Sequence, residues 1–127
     1  MILAEEFESI QGEGKYLRIP SYFIRTTGCN LRCSWMNSDK TRTICDTPYT
    51  SFKPDVGYEL DLEKTLDKLS KTRVKHVVIT GGEPTLHTDL APVARTLLNE
   101  GYHVTLETNS TRYVAGLERV FISASPK

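Results

Sequence analysis

The sequence predicts an α/β domain whose strands run parallel and are joined by helical crossovers. Three observations carry that expectation. Strand-like and helix-like stretches alternate along the chain. The apolar run from Val74 to Thr80 is continuous, as in a strand buried on both faces, and stops at Gly81-Gly82. Loops of unusual composition recur where the strand-like stretches end.

In chain order, "SYFIRTT", from Ser21, is rich in aromatic and β-branched residues and reads as a strand running into Gly28. A cysteine-bearing loop follows. "LDLEKTLDKLSK" sets Leu62, Leu66 and Leu69 on one stripe of a helix, with Asp61 as its N-cap. Val74 to Thr80 is the second strand. "DLAPVARTLLNEG" gathers Leu90, Val93, Ala94, Leu97 and Leu98 on one helical face, tolerates Pro92 in its first turn and stops at Gly101. "HVTLET" and "VFISAS" are the third and fourth strands, and "NSTRYVAGLER" between them reads as a loop with a short helix.

Right-handed crossovers then put every unusual loop at a strand's C-terminal end. Cys29 follows the first strand, Gly81-Gly82-Glu83-Pro84 the second, Thr108-Asn109-Ser110 the third and Ser125-Pro126-Lys127 the fourth. In parallel α/β folds that edge carries the active site.

A chain of 127 residues is one domain by length, spanning 1–127, without internal repeats or low-complexity stretches. Sixteen basic residues balance sixteen acidic ones, which leaves no overall field to gather nucleic acid or an anionic membrane. The opening "MILAEEFESIQGEG" turns acidic too early for a signal peptide, and no apolar run approaches the roughly 20 residues that span a bilayer. A soluble cytoplasmic protein with neither nucleic-acid nor membrane partners is expected.

All three cysteines, Cys29, Cys33 and Cys45, fall in one stretch. An odd number in a reducing compartment disfavours disulfides. The neighbours Asn30, Arg32, Ser34, Asn37, Asp39 and Lys40 are polar and show no period that would bury the thiols as core residues. A structural zinc site needs a fourth ligand such as His76, His87 or His103, and none stands at zinc-finger spacing. A [4Fe–4S] cube held by three thiolates is the sharper reading, because it leaves one iron open to a ligand.

"GCNLRC", the later "CDT" and "TGGEP" at the end of a strand resemble the radical S-adenosylmethionine enzymes. With them, "ESIQGEG", "FIRTTGCNLRCSW", "CDTPYT", "VVITGGEP", "LETNST" and "SASPK", spread from Glu8 to Lys127, resemble the 7-carboxy-7-deazaguanine synthase family. The resemblance implies a partial (β/α) barrel, with Cys29, Cys33 and Cys45 holding the cluster and the open iron chelating S-adenosylmethionine. Gly82, Glu83, Thr108, Asn109, Ser125, Pro126 and Lys127 would line the S-adenosylmethionine site. Glu83 would grip the methionine ammonium, and Gly81 and Gly82 would let the backbone approach the ligand.

The substrate implied is 6-carboxy-5,6,7,8-tetrahydropterin, contracted to 7-carboxy-7-deazaguanine with loss of ammonia. Ile10, Gln11, Gly12 and Thr80 would meet it, and Arg25 would pair with its carboxylate as a planar fork donor. Thr47 matches a family oxygen ligand to Mg²⁺; the chemistry of the residues alone favours Asp46. A low-potential electron donor such as flavodoxin and a homodimer are family expectations. Two rivals stand beside this reading. An activating enzyme for glycyl-radical proteins would share the cluster and "GGEP" but not need "ESIQGEG" or "CDT", and a zinc-stabilised binding module would not be an enzyme.

The sequence departs from the family pattern in three places. The cysteine spacing is C-x3-C-x11-C where C-x3-C-x2-C is usual, with Met36 to Ile44 as an apparent insertion. Loop length costs closure entropy slowly, so Cys45 is still expected at the cluster. Lys40 and Arg42 in the insertion offer either a docking edge for an acidic donor or solvated charges. Ser110 replaces a common glycine. The family continues beyond "SASPK" with further strands, so the barrel is expected to be truncated at its C-terminus.

Overall fold

The structure, a computed structural model, describes residues 1–51 and 57–127. In chain order the elements are β1 (Ile2–Ile10), β2 (Pro20–Thr26), β3 (Ser34–Met36), β4 (Arg42–Ile44), α1 (Pro48–Ser51), β5 (Tyr58–Glu59) and α2 (Leu62–Ser70). There follow β6 (His76–Gly81), a 3₁₀ turn (Pro84–Leu86), α3 (Leu90–Asn99), β7 (His103–Thr108) and β8 (Phe121–Ala124).

The main sheet is an open, mainly parallel barrel wall in the order β5-β1-β2-β6-β7-β8. Strands β2, β6, β7 and β8 pair parallel, as the alternating pattern requires, while β1 and β5 extend one edge antiparallel. The helices pack on one face. Leu69 of α2 and Leu90, Val93, Ala94 and Leu97 of α3 meet Tyr22, Ile24, Val77, Ile79, Val104 and Leu106 of the strands in a single buried cluster. In β6, His76, Val77, Val78 and Ile79 are all buried, so the continuous apolar run does mark a strand covered on both sides.

Helix ends follow their residues. Asp61 accepts the Lys64 N–H at 3.1 Å as an N-cap, and Gly101 takes a φ of 89° just past α3. Asp89 precedes α3 without making a cap bond; its carboxylate accepts from the Met1 amine instead.

One expected element is absent, and two segments that the sequence left unassigned take definite form. The acidic opening is strand β1, paired with β2 through Glu6↔Ile24 and Phe7↔Phe23. Its alternation is masked because a buried position is filled by Glu6, whose carboxylate accepts from Tyr58, Thr65 and Lys68. No helix forms between Asn109 and Val120, where Leu117 and Val114 pack on the core from turns. The insertion between Cys33 and Cys45 is a hairpin of β3 and β4 with Ser34 opposite Ile44.

Candidate active site

At the C-terminal edge of the parallel strands lies a cavity of about 320 Å³. It is lined by Cys29, Cys33, Cys45, Asp46, Thr47 and Ser51 from the cysteine segment, and by Thr80, Gly81 and Gly82 from the end of β6. Glu107, Thr108 and Asn109 from the end of β7, Ser125 and Lys127 after β8, and Arg25, Glu13 and Trp35 complete the lining. A second cavity of about 250 Å³ is lined mainly by apolar residues such as Leu106, Val114, Leu117 and Ile122, and no cysteine faces it.

Backbone bonds sew the loops together. Gly28 N donates to Thr50 O at 2.6 Å, and Glu83 N donates to Gly28 O at 2.8 Å. This explains the two glycines differently from the expectation of ligand approach. A Cβ on Gly81, at a φ of 131°, would stand 2.2 Å from Thr26 O, and one on Gly82 would stand 2.1 Å from Gly28 O. It is neighbouring backbone that demands glycine there.

Glu83 also has a geometry of its own. It is fully buried and does not line the cavity. Its Oε1 accepts from Thr85 N at 3.0 Å, Thr85 Oγ1 at 2.6 Å and Thr108 Oγ1 at 2.7 Å, while Oε2 accepts Asn109 N at 2.7 Å. Three donors converge on Oε1 and one on Oε2, so Oε2 keeps a lone pair for a further donor. Glu83 also fixes Thr108 and Asn109 at the cavity wall, a clamp that low dielectric strengthens.

Arg25 faces the cavity from the inner side of β2. Its Nη1 donates to the Tyr49 hydroxyl at 2.7 Å, its Nε lies 3.3 Å from the Glu5 carboxylate, and its guanidinium sits 5.2 Å from the Phe7 ring centroid. That Nε is buried without an aligned hydrogen bond. Gln11 is buried, and its Nε2 donates to Glu107 Oε1 at 2.9 Å. Gln11 does not line the cavity itself but bonds to Glu107, which does; Ile10 and Gly12 are exposed and do not line it, and neither does Pro126. Ser125 N donates to Thr108 O at 2.9 Å, and Lys127 Nζ donates to Ser125 Oγ at 3.2 Å.

Sequence reasoning passed over Glu13, Glu107, Tyr49 and Ser51. Glu107 had a signal: it is a charged residue at an inward position of a buried strand. Burial and the neighbouring charge of Glu107 hold the Glu13 carboxyl above its ordinary range. Tyr49 acts on Arg25 and Glu5 across the fold, and Ser51 reaches back to Cys45 only because α1 turns it there, so neither carries a sequence signal.

The three thiols are free and half-buried. Leu31 N donates to Cys29 Sγ at 3.4 Å, and Cys45 N donates to Cys33 O at 3.0 Å, which closes the neck of the hairpin. Burial pushes the Cys45 thiol up, but hydrogen bonding from Ser51 and Thr47 outweighs it and holds the thiol below its ordinary value. Three thiols around a common cavity, without a fourth, fit a cube with one open iron.

Residues 23–121 match the Radical SAM superfamily. The chain belongs to that superfamily. Membership in the radical SAM superfamily implies a [4Fe–4S] cluster and S-adenosylmethionine as cofactors. The chain is 44% identical to 7-carboxy-7-deazaguanine synthase from Aquifex aeolicus, over 98% of its own length and 54% of the relative's. It is 42% identical to the enzyme of that name from Rhodopirellula baltica, over 100% of its length and 45% of the relative's. The crystal structure of QueE from Escherichia coli is similar with a TM-score of 0.82 and 30% identity, covering 99% of this chain and 60% of that one. This radical SAM chain thus spans about half the length of the curated relatives it matches.

Proposed function

We propose that the protein carries out the 7-carboxy-7-deazaguanine synthase reaction, converting 6-carboxy-5,6,7,8-tetrahydropterin to 7-carboxy-7-deazaguanine with loss of ammonia. The observation that carries the reading is one cavity shared by three thiols and a set of charged groups suited to a polar heterocyclic acid. Similarity to synthases over nearly the whole chain supports it further and does not favour a glycyl-radical activating enzyme.

Cys29, Cys33 and Cys45 hold the cluster, and Gly82, Glu83, Thr108, Asn109, Ser125, Pro126 and Lys127 bind S-adenosylmethionine, Glu83 through the remaining acceptor site of its Oε2. When bound, the pair supplies a carbon radical that abstracts hydrogen from the substrate. Arg25, oriented by Tyr49 and Glu5, pairs with the substrate carboxylate. Thr80 contacts the ring within the cavity, while Ile10, Gln11 and Gly12, on the loop that Gln11 anchors to the cavity-lining Glu107, meet the edge of the pterin that projects beyond it. Glu13, which lines the cavity beside Glu107, presents a carboxyl to the polar edge of the ring. Thr47, which lines the cavity with Asp46, would supply an oxygen to Mg²⁺, and the ion would offset the charge of the substrate carboxylate.

The electron comes from a low-potential carrier of the flavodoxin class, the working state is a homodimer, and the compartment is the cytoplasm. Among the described residues no helix is long and apolar enough to cross a membrane.

The test is anaerobic reconstitution with iron and sulfide, then electron paramagnetic resonance with and without S-adenosylmethionine, then turnover with the carboxytetrahydropterin followed by mass spectrometry. A signal that shifts with S-adenosylmethionine, together with product, is expected. A shifted signal without product sinks the substrate assignment, and a cluster blind to S-adenosylmethionine sinks the mechanism.

A further inference from the structure

The one-turn helix α1 follows the third cysteine directly and turns its last residue back beneath it. Pro48 opens the turn, Thr50 closes it through N–H and hydroxyl bonds to Thr47 O at 3.1 and 3.0 Å, and Gly28 N holds Thr50 O from the first cysteine loop. Ser51, 6% exposed, thereby sets its hydroxyl 3.4 Å from the Cys45 sulfur. Among the described residues that sulfur is the hydroxyl's hydrogen-bond partner.

We infer that Ser51 is a positioning residue for the iron–sulfur cluster, donating a hydrogen bond to the Cys45 thiolate that raises the cluster's reduction potential. The inference rests on the cluster reading of the three cysteines. A cysteine that ligates iron does so as thiolate and has no proton to give. The Ser51 hydroxyl must then be the donor. A hydrogen bond to a ligating sulfur draws off electron density and stabilises the more negative, reduced state above the oxidised one.

The three sulfurs differ in how they are served. Cys29 Sγ accepts the backbone N–H of Leu31 at 3.4 Å and, at a longer 4.0 Å, the side-chain Nδ2 of Asn109. Cys33 Sγ receives no donor among the described residues. Cys45 Sγ has two hydroxyls, Ser51 at 3.4 Å and Thr47 at a longer 3.7 Å. Because Ser51 is buried, water does not readily replace its hydroxyl. Among the described residues Ser51 is therefore the nearest side-chain donor to any of the three sulfurs, and the one through which this chain tunes the electron affinity of its cluster.

The test uses the full chain, reconstituted anaerobically, with Ser51→Ala and Ser51→Thr beside the unsubstituted protein. Iron and sulfide are assayed in each, and the midpoint potential is read by redox titration followed by electron paramagnetic resonance. The expected result is equal iron and sulfide in all three, a more negative midpoint in Ser51→Ala, and an unchanged midpoint in Ser51→Thr, which keeps the hydroxyl. A midpoint unmoved in Ser51→Ala overturns the inference, as does an equal shift in both variants, which would mark a packing effect. Loss of the cluster in Ser51→Ala alone overturns tuning in favour of a holding role, and loss in both variants marks packing. If the unsubstituted protein binds no iron and sulfide, the cluster reading itself has failed, and the metal assay reveals this before any potential is measured.

Discussion

Arg25 and Tyr49 are joined by a 2.7 Å hydrogen bond in which the guanidinium donates to the phenol, and that phenol passes its own proton toward Glu5 Oε1 at 3.2 Å. The arginine is thus held on two sides before any ligand arrives. Tyr49→Phe keeps the ring against Arg25 and removes the hydroxyl. Losing one hydrogen bond to the charged group is worth about 1.5 kcal/mol. On the proposed reaction the expected effect is a KM raised roughly tenfold by that amount, with kcat little changed. Steady-state kinetics of the reconstituted protein checks it.

Gly82→Ala should be poorly tolerated, because its Cβ would meet Gly28 O at 2.1 Å. Overpacking of this kind costs about 1–3 kcal/mol. Gly12→Ala, with nothing within 4 Å, serves as the control. Thermal unfolding of both variants should separate them, and iron uptake should fall in the first alone.

Glu83→Gln replaces an acceptor of four hydrogen bonds with a group that must itself donate. At least one buried donor is left unanswered, at about 1–3 kcal/mol. The expected outcome is a lower unfolding midpoint together with faster amide exchange at Asn109, read by hydrogen-exchange mass spectrometry.

His76 bridges β2 and β7, with Nδ1 2.7 Å from Ser21 Oγ and Nε2 2.7 Å from Thr105 Oγ1, under the Tyr16 ring. Burial, and then the charge of His103, lower its pKa from the ordinary 6.5. The folded state therefore resists a proton that the unfolded state accepts near that value. Stability should be intact above pH 6.5 and decline as pH falls below it. Denaturant titrations at several pH values should show this slope, and His76→Gln should flatten it.

Sequence pattern made the helix-facing half of the protein legible. Leu62, Leu66 and Leu69, and Leu90 through Leu97, repeat at helical spacing because one face of each helix meets the sheet. The cysteines, Gly82 and Thr108 were legible as a set because parallel strands bring their C-terminal loops to one edge. Strand β1 was hidden because Glu6 occupies a buried position and is satisfied by side chains from β5 and α2. The orientation of Glu83 was equally out of reach, since it depends on donors from Thr108 and Asn109 on another strand.

The hairpin of β3 and β4 has a consequence for how this loop has room to vary. Cys33 O and Cys45 N are 3.0 Å apart, so the residues between them leave and return through the same doorway. The third cysteine consequently registers that doorway and not the distance travelled beyond it. At the far tip, Asp39 caps Thr41, and Lys40 turns the chain at a φ of 66°. A peptide tag spliced in beside Lys40 should leave iron and sulfide content unchanged, whereas Cys45→Ser should abolish normal loading. The tip is a handle attached to the redox centre by a stem that does not transmit its length.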